Sequence, residues 1–131
     1  LSGLTRNSDW KDIVRAVIES VAYQSFDLFK AMNRDGLKPT VVKVDGGMVS
    51  NNWFSQFLSD ILGIKVIRPK IHETTALGAA FMAGLYVGGF KSLKSISKRW
   101  KIEKRFGPKI NKLSRIKLLK GWEQAIKKTL I

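Results

Sequence analysis

The run Val44-Asp45-Gly46-Gly47-Met48-Val49-Ser50-Asn51-Asn52 stands between a short β-branched segment and an amphipathic one. Two adjacent glycines let backbone approach a ligand with no Cβ in the way. A helix beginning near Asn51 would offer free N–H groups and a partial positive charge, both favourable to phosphate. In an open α/β sheet, ligands bind at such a place, beyond the carboxyl end of a strand. The chemistry this spacing supports is holding a nucleotide or phosphate, not making or breaking a bond. The Asn51 side chain either caps the helix or bonds to a nucleotide. A Gly-Gly turn followed by an Asn cap is also common in proteins that bind nothing, so spacing alone leaves both readings open.

Other chemistry-bearing residues point to structural roles. His72 is the single histidine. It lies in a loop beside Pro69, is expected to be exposed, and cannot build a metal site alone. Asp45 is expected to organise the turn and is not assigned as a base. Asp60, near a helix end, should bond backbone or a basic neighbour, and Glu19 should form an ion pair. The absence of cysteine excludes disulfides, thiolate metal sites and cysteine nucleophiles, and suits a cytoplasmic protein.

The elements that must position the turn follow from periodicity. Trp10, Ile13, Val14, Val17, Ile18, Val21 and Ala22 recur at helical spacing, which predicts a helix over 9–33 capped by Ser8 or Asp9. Residues 40–45 read as a buried strand, and 51–62 as a helix closed by Gly63. In that helix Trp53, Phe54 and Phe57 are expected in the core. Residues 64–68 form a second strand stopped by Pro69. A third helix, capped by Thr74 or Thr75, runs to Tyr86, and its small residues predict close packing against a sheet or helix. Beyond it the pattern weakens to a short helix near 92–98, an extended piece near 101–106 and a helix near 118–130. This is an α/β order, whose strands usually pair in parallel.

The chain has 131 residues, 44% of them apolar, enough for a core. Its net charge of +14 is unevenly spread. Residues 1–90 carry 10 Lys+Arg against 8 Asp+Glu, whereas residues 91–131 carry 14 against 2. The excess therefore belongs to the last third, whose aromatics Trp100, Phe106 and Trp122 form no stacking pattern. It reads as a solvated lysine-rich surface, and nucleic acid is not expected as a partner. No apolar stretch is long enough to span a bilayer, so no membrane association is expected. No secretory signal is visible. A first residue that is leucine suggests that a natural N-terminus is missing.

Several motifs in order resemble the FGGY carbohydrate kinases. Gly3-Leu4, then Asp12-Ile13 and Ala16-Val17-Ile18-Glu19, fit the C-terminal signature of that family. The stretch 44–63 is similar to its adenosine-binding turn and following helix, ending in Ser59-Asp60-Ile61-Leu62-Gly63. Glu73-Thr74-Thr75-Ala76-Leu77-Gly78-Ala79-Ala80 resembles the next block. The likeness continues loosely through Phe106-Gly107-Pro108 to Gly121-Trp122-Glu123-Gln124-Ala125-Ile126. Asp45-Gly46-Gly47 with Asn51 resembles the glycerol kinase branch, since xylulokinase-like members tend to carry a third glycine at the turn.

The resemblance implies an α/β fold, part of the second actin-like (ribonuclease H-like) ATPase domain. Residues 1–90 would be the C-terminal part of that domain with the adenosine-binding turn, and 91–131 a basic, mainly helical extension of it. It implies ATP-dependent phosphorylation of glycerol to sn-glycerol 3-phosphate with Mg²⁺, in a full-length enzyme expected to be homo-oligomeric. By the same resemblance Gly46, Gly47 and Asn51 contact ATP or ADP. Gly47 would pass backbone close to the nucleotide, and Asn51 would hydrogen-bond it through its amide. The catalytic aspartate, the Mg²⁺ ligands, the phosphate loop and the glycerol-binding residues would lie outside this chain, which is expected to be inactive alone. The alternatives are another sugar or polyol kinase of the family, a non-catalytic binding module with a basic tail, or a truncated gene product. Exposed apolar surface left by the missing part predicts self-association.

Overall fold

A computed structural model describes residues 1–130, which form five α-helices and a three-stranded sheet. Helix α1 (Trp10–Arg34) starts at Asp9, whose carboxylate accepts from the Lys11 and Asp12 N–H groups while Asp12 returns a bond to the Asp9 N–H. This capping box satisfies donors that the first turn would otherwise leave orphaned. Strand β1 (Val41–Lys43) leads into a single 3-10 turn (Gly47–Ser50) and then helix α2 (Asn52–Leu62). Gly63 ends α2 at φ 71°, a left-handed position suited to glycine. Strand β2 (Lys65–Pro69) pairs in parallel with β1, Val42 opposite Val66. Helices α3 (Thr74–Tyr86) and α4 (Leu93–Ser97) follow, then β3 (Ile102–Phe106) and α5 (Lys112–Lys127).

Not every strand pairs in parallel. β3 lies antiparallel to β2, Val66 opposite Phe106, so β2 is the central strand. The register shifts between Arg68 and Pro69, where proline removes a ladder donor. The last helix starts earlier than its apolar spacing suggests, because Asn111 caps it by accepting from the Ser114 N–H.

The core lies between α2 and β2. Phe54, Leu58, Ile61, Val66 and Phe106 are buried there, with Ala22 and Tyr23 of α1 closing one side. Tyr23 meets Phe57 edge-on and stacks on Trp122 of α5, whose indole N–H donates to Asp27 at 2.7 Å. Burial pushes the Tyr23 hydroxyl up to about 12, and the nearby Glu19 carboxylate adds to the shift. Glu19 is paired with Arg15 at 2.6 Å, as its helical position suggested.

Two apolar faces do not pack as their composition predicts. Only the part of α1 from Ile18 onward packs against the core, leaving Trp10, Val14 and Val17 exposed. Trp53 is exposed as well, stacked on Phe57, so of the three aromatics assigned to the core of α2 only Phe54 is fully buried. Helix α3 is apolar nearly all round yet buries no residue. Helices of that composition are normally enclosed; here the close packing that its small residues predict is seen at Gly84, against the Phe90 ring, which also meets Phe81 edge-on. Neither threonine caps it: Glu73 holds the cap position without a side-chain bond, and Thr74 already lies in the first turn.

Candidate nucleotide-facing turn

Residues 45–52 connect the carboxyl end of β1 to the start of α2. Gly46 has φ 86°, a conformation that L side chains rarely adopt, so the turn itself requires glycine there. Gly47 differs. Its φ is not positive, and an added Cβ would meet no atom within 4 Å. Among the described residues nothing demands glycine at 47, and its bare backbone faces open space.

Asn51 caps the helix that follows the turn. Its Oδ1 accepts from the Trp53 N–H at 2.9 Å and the Phe54 N–H at 3.3 Å, capping α2. An amide has an acceptor and a donor end. The cap uses only the acceptor, and among the described residues Nδ2 has no partner. Asn51 lines a small cleft of about 310 Å³ together with Trp10, Val14, Arg15 and Trp53. Gly46 and Gly47 lie on the turn beside it and do not line that cleft.

The turn is braced from behind by groups far away in sequence. The Gly46 N–H donates to the His72 carbonyl at 2.8 Å, and Thr74 donates its hydroxyl to Asp45. Asp45 therefore ties the turn to the start of α3. Arg68, 4% exposed, reaches under the turn from β2. Its Nη1 donates to the Val49 and Ser50 carbonyls at 2.6 and 3.1 Å, and its Nη2 to Asn52 Oδ1 at 3.0 Å. Its Nε and Nη2 also grip Glu103 of β3 at 2.9 and 3.2 Å. A buried guanidinium with this many acceptors is fully compensated.

His72 is not the free loop residue that its position suggested. Its side chain is 25% exposed and bridges Ser50 Oγ at 2.9 Å and Glu103 Oε2 at 2.8 Å. The His72 hydrogen bond, followed by those from Arg68, holds the Glu103 carboxyl below its ordinary value. Ser50, His72 and Glu103 share the residue types of a hydrolytic triad. Here Arg68 already engages the carboxylate, and the arrangement serves as a brace. Arg68, Glu103 and His72 carry no local sequence signal for this task, because they meet only through the register of β2 with β3.

The far end of α2 holds further polar groups with internal partners. Asp60 accepts from the Lys109 and Ile110 N–H groups, and Arg115 donates to the Ile61 and Leu62 carbonyls at the end of α2. Desolvation lowers the Arg115 pKa from its ordinary value. Among the described residues there is no group of three or more His, Cys, Asp or Glu that could hold a metal ion. No helix among the described residues is long and apolar enough to cross a membrane.

Comparison with known proteins agrees with this arrangement. Residues 1–87 match the C-terminal domain of the FGGY family of carbohydrate kinases. The chain is 51% identical over 127 residues to a glycerol kinase of Alcanivorax borkumensis, covering 96% of this chain and 26% of that protein. It is 48% identical over 126 residues to glycerol kinase 1 of Pseudomonas aeruginosa, with the same coverage. The chain thus spans about a quarter of the length of the curated relatives it matches. Among solved structures, glycerol kinase of Plasmodium falciparum with ADP superposes with a TM-score of 0.81 at 37% identity, over 98% of this chain and 26% of that one. With the signature helix, the glycine turn and the capped helix after it all inside the matched span, the chain belongs to the FGGY family of carbohydrate kinases.

Proposed function

We propose that this chain is the nucleotide-binding wall of an ATP-dependent glycerol kinase, which transfers the γ-phosphoryl group of ATP to a glycerol hydroxyl to give sn-glycerol 3-phosphate. The observation that carries the reading is the turn at 45–52: Gly47 is glycine with no internal reason, and Asn51 presents an unused amide donor beside it. The glycerol kinase relatives, one of them solved with ADP, support the choice of nucleotide and acceptor.

In this reading Gly46 shapes the turn, Gly47 lets backbone pass close to the nucleotide, and Asn51 Nδ2 donates a hydrogen bond to it. Phosphoryl transfer needs, besides positioning, a group to orient the attacking hydroxyl and cations to neutralise developing charge. In this reading Mg²⁺, glycerol and the catalytic base belong to the rest of a cytoplasmic, homo-oligomeric enzyme, and the chain alone is inactive. One wall of a cleft is expected to bind ATP no tighter than about millimolar.

The test is phosphorylation by the full-length protein against a panel of polyols and sugars. Preference for glycerol, with no turnover by residues 1–131 alone, is the expected result. A preference for another polyol would transfer the reading to a different kinase of the family, and no ATP-dependent turnover at all would overturn it.

A further inference from the structure

We propose that His72 is a positioning residue that sets the orientation of the nucleotide turn, acting with Ser50, Glu103 and Arg68. This rests on the reading of residues 45–52 as the nucleotide-facing turn. His72 touches both ends of that turn. Its carbonyl accepts from the Gly46 N–H at 2.8 Å, and its Nδ1 lies 2.9 Å from Ser50 Oγ. Gly46 and Ser50 bracket the segment that carries Gly47, so one residue, distant in sequence from both, holds the segment like a staple.

The staple is itself anchored. An ionised carboxylate only accepts, so Glu103 Oε2, 2.8 Å from His72 Nε2, keeps the proton of the neutral ring on Nε2. Nδ1 is then free to accept from the Ser50 hydroxyl. Glu103 is held by the buried Arg68, which also donates to the Val49 and Ser50 carbonyls. The network is a closed loop: turn to His72, to Glu103, to Arg68, and back to the turn. Ser50 and Glu103 are exposed, and bonds between exposed groups add little stability. What such a loop controls is direction, namely where the Gly47 backbone and the Asn51 amide point. Small losses of positioning weaken binding out of proportion to their effect on stability.

The experiment is steady-state kinetics of the full-length protein carrying His72→Phe, His72→Gln or Ser50→Ala, with attachment of an azido-adenine ADP analogue mapped in parallel. His72→Phe is expected to raise the KM for ATP about three- to tenfold, the loss of one to two net hydrogen bonds. The KM for glycerol and kcat should stay within about twofold, since positioning of the acceptor and the chemical step are untouched. His72→Gln, whose amide can donate to Glu103 and accept from Ser50, should recover most of the loss. Ser50→Ala should raise the KM for ATP about two- to threefold and add nothing to His72→Phe, because both break one link.

Unchanged KM for ATP in both His72→Phe and Ser50→Ala, with the analogue still attached within 45–52, would overturn the positioning role alone. Attachment elsewhere would instead sink the nucleotide-turn reading, and the role with it. Equal rises in both KM values with a lowered Tm would show a merely structural histidine and also overturn the proposal. Should His72→Phe fail to fold, Ser50→Ala at its exposed position decides the matter.

Discussion

Asn51 offers a clean separation of folding from binding, because its two ends do different work. Oδ1 accepts from the Trp53 and Phe54 N–H groups, at 2.9 and 3.3 Å, while Nδ2 is unused among the described residues. Serine at 51 keeps a cap oxygen and loses the amide, whereas alanine loses both. Removing an N-cap side chain costs about 0.5–2 kcal/mol, and exchange among good caps costs only a few tenths. Losing one neutral hydrogen bond to a ligand costs about 0.5–1.5 kcal/mol, or roughly two- to thirteenfold in affinity. Asn51→Ser should therefore unfold within about 0.5 kcal/mol of the parent while binding ADP roughly two- to thirteenfold more weakly. Asn51→Ala should show the same loss of binding with an added destabilisation of about 1 kcal/mol. Thermal unfolding and fluorescence titration of ADP on the full-length protein measure the two separately. The reasoning is refuted if Asn51→Ser binds ADP as the parent does, which would leave Asn51 a cap and nothing more. Equal stability of the serine and alanine variants would refute the cap.

Further outcomes follow from the same geometry. Gly47→Ala should leave stability within about 0.5 kcal/mol, since its φ is ordinary and a Cβ meets open space, yet should weaken ADP binding; Gly46→Ala, at φ 86°, should cost about 1–2 kcal/mol by urea unfolding. The lowered pKa of Glu103 means that its contribution to stability is present above the unfolded value of about 4.3 and is lost as pH falls through the lower folded value. Acid unfolding curves should accordingly flatten in Glu103→Gln. Gly63→Ala should cost about 1–2 kcal/mol for its left-handed backbone and also displace the Arg115 guanidinium from the Ile61 and Leu62 carbonyls; thermal unfolding beside Arg115→Ala would reveal the coupling. Residues 1–131 expressed alone should self-associate in light scattering through the exposed apolar faces of α1 and α3; a monodisperse, cooperatively unfolding monomer would contradict this.

What could be read from sequence was encoded over a few neighbouring residues. The Asp9 cap, the Asn51 cap, the left-handed Gly63 and the order of helices and strands up to Tyr86 all depend on contacts within one or two turns, and each is present in the structure. The family was legible for a related reason: its motifs are short runs in a fixed order, and they fall inside the matched span. What eluded the sequence was set by distant partners. Apolar periodicity marked Trp10, Val14, Val17 and Trp53 as one apolar side, but periodicity states which side of a helix is apolar, not what covers it, and here these residues stay largely exposed. The direction of β3 followed from its pairing with β2 and not from its composition. His72 looked like a solitary loop residue because its partners, Ser50 and Glu103, stand 22 and 31 positions away. Arg68 meets Glu103 across 35 positions. Only the antiparallel register that places Arg68 beside Lys104 brings that carboxylate within reach of the turn, and so it was tertiary structure that joined four scattered polar residues into its brace.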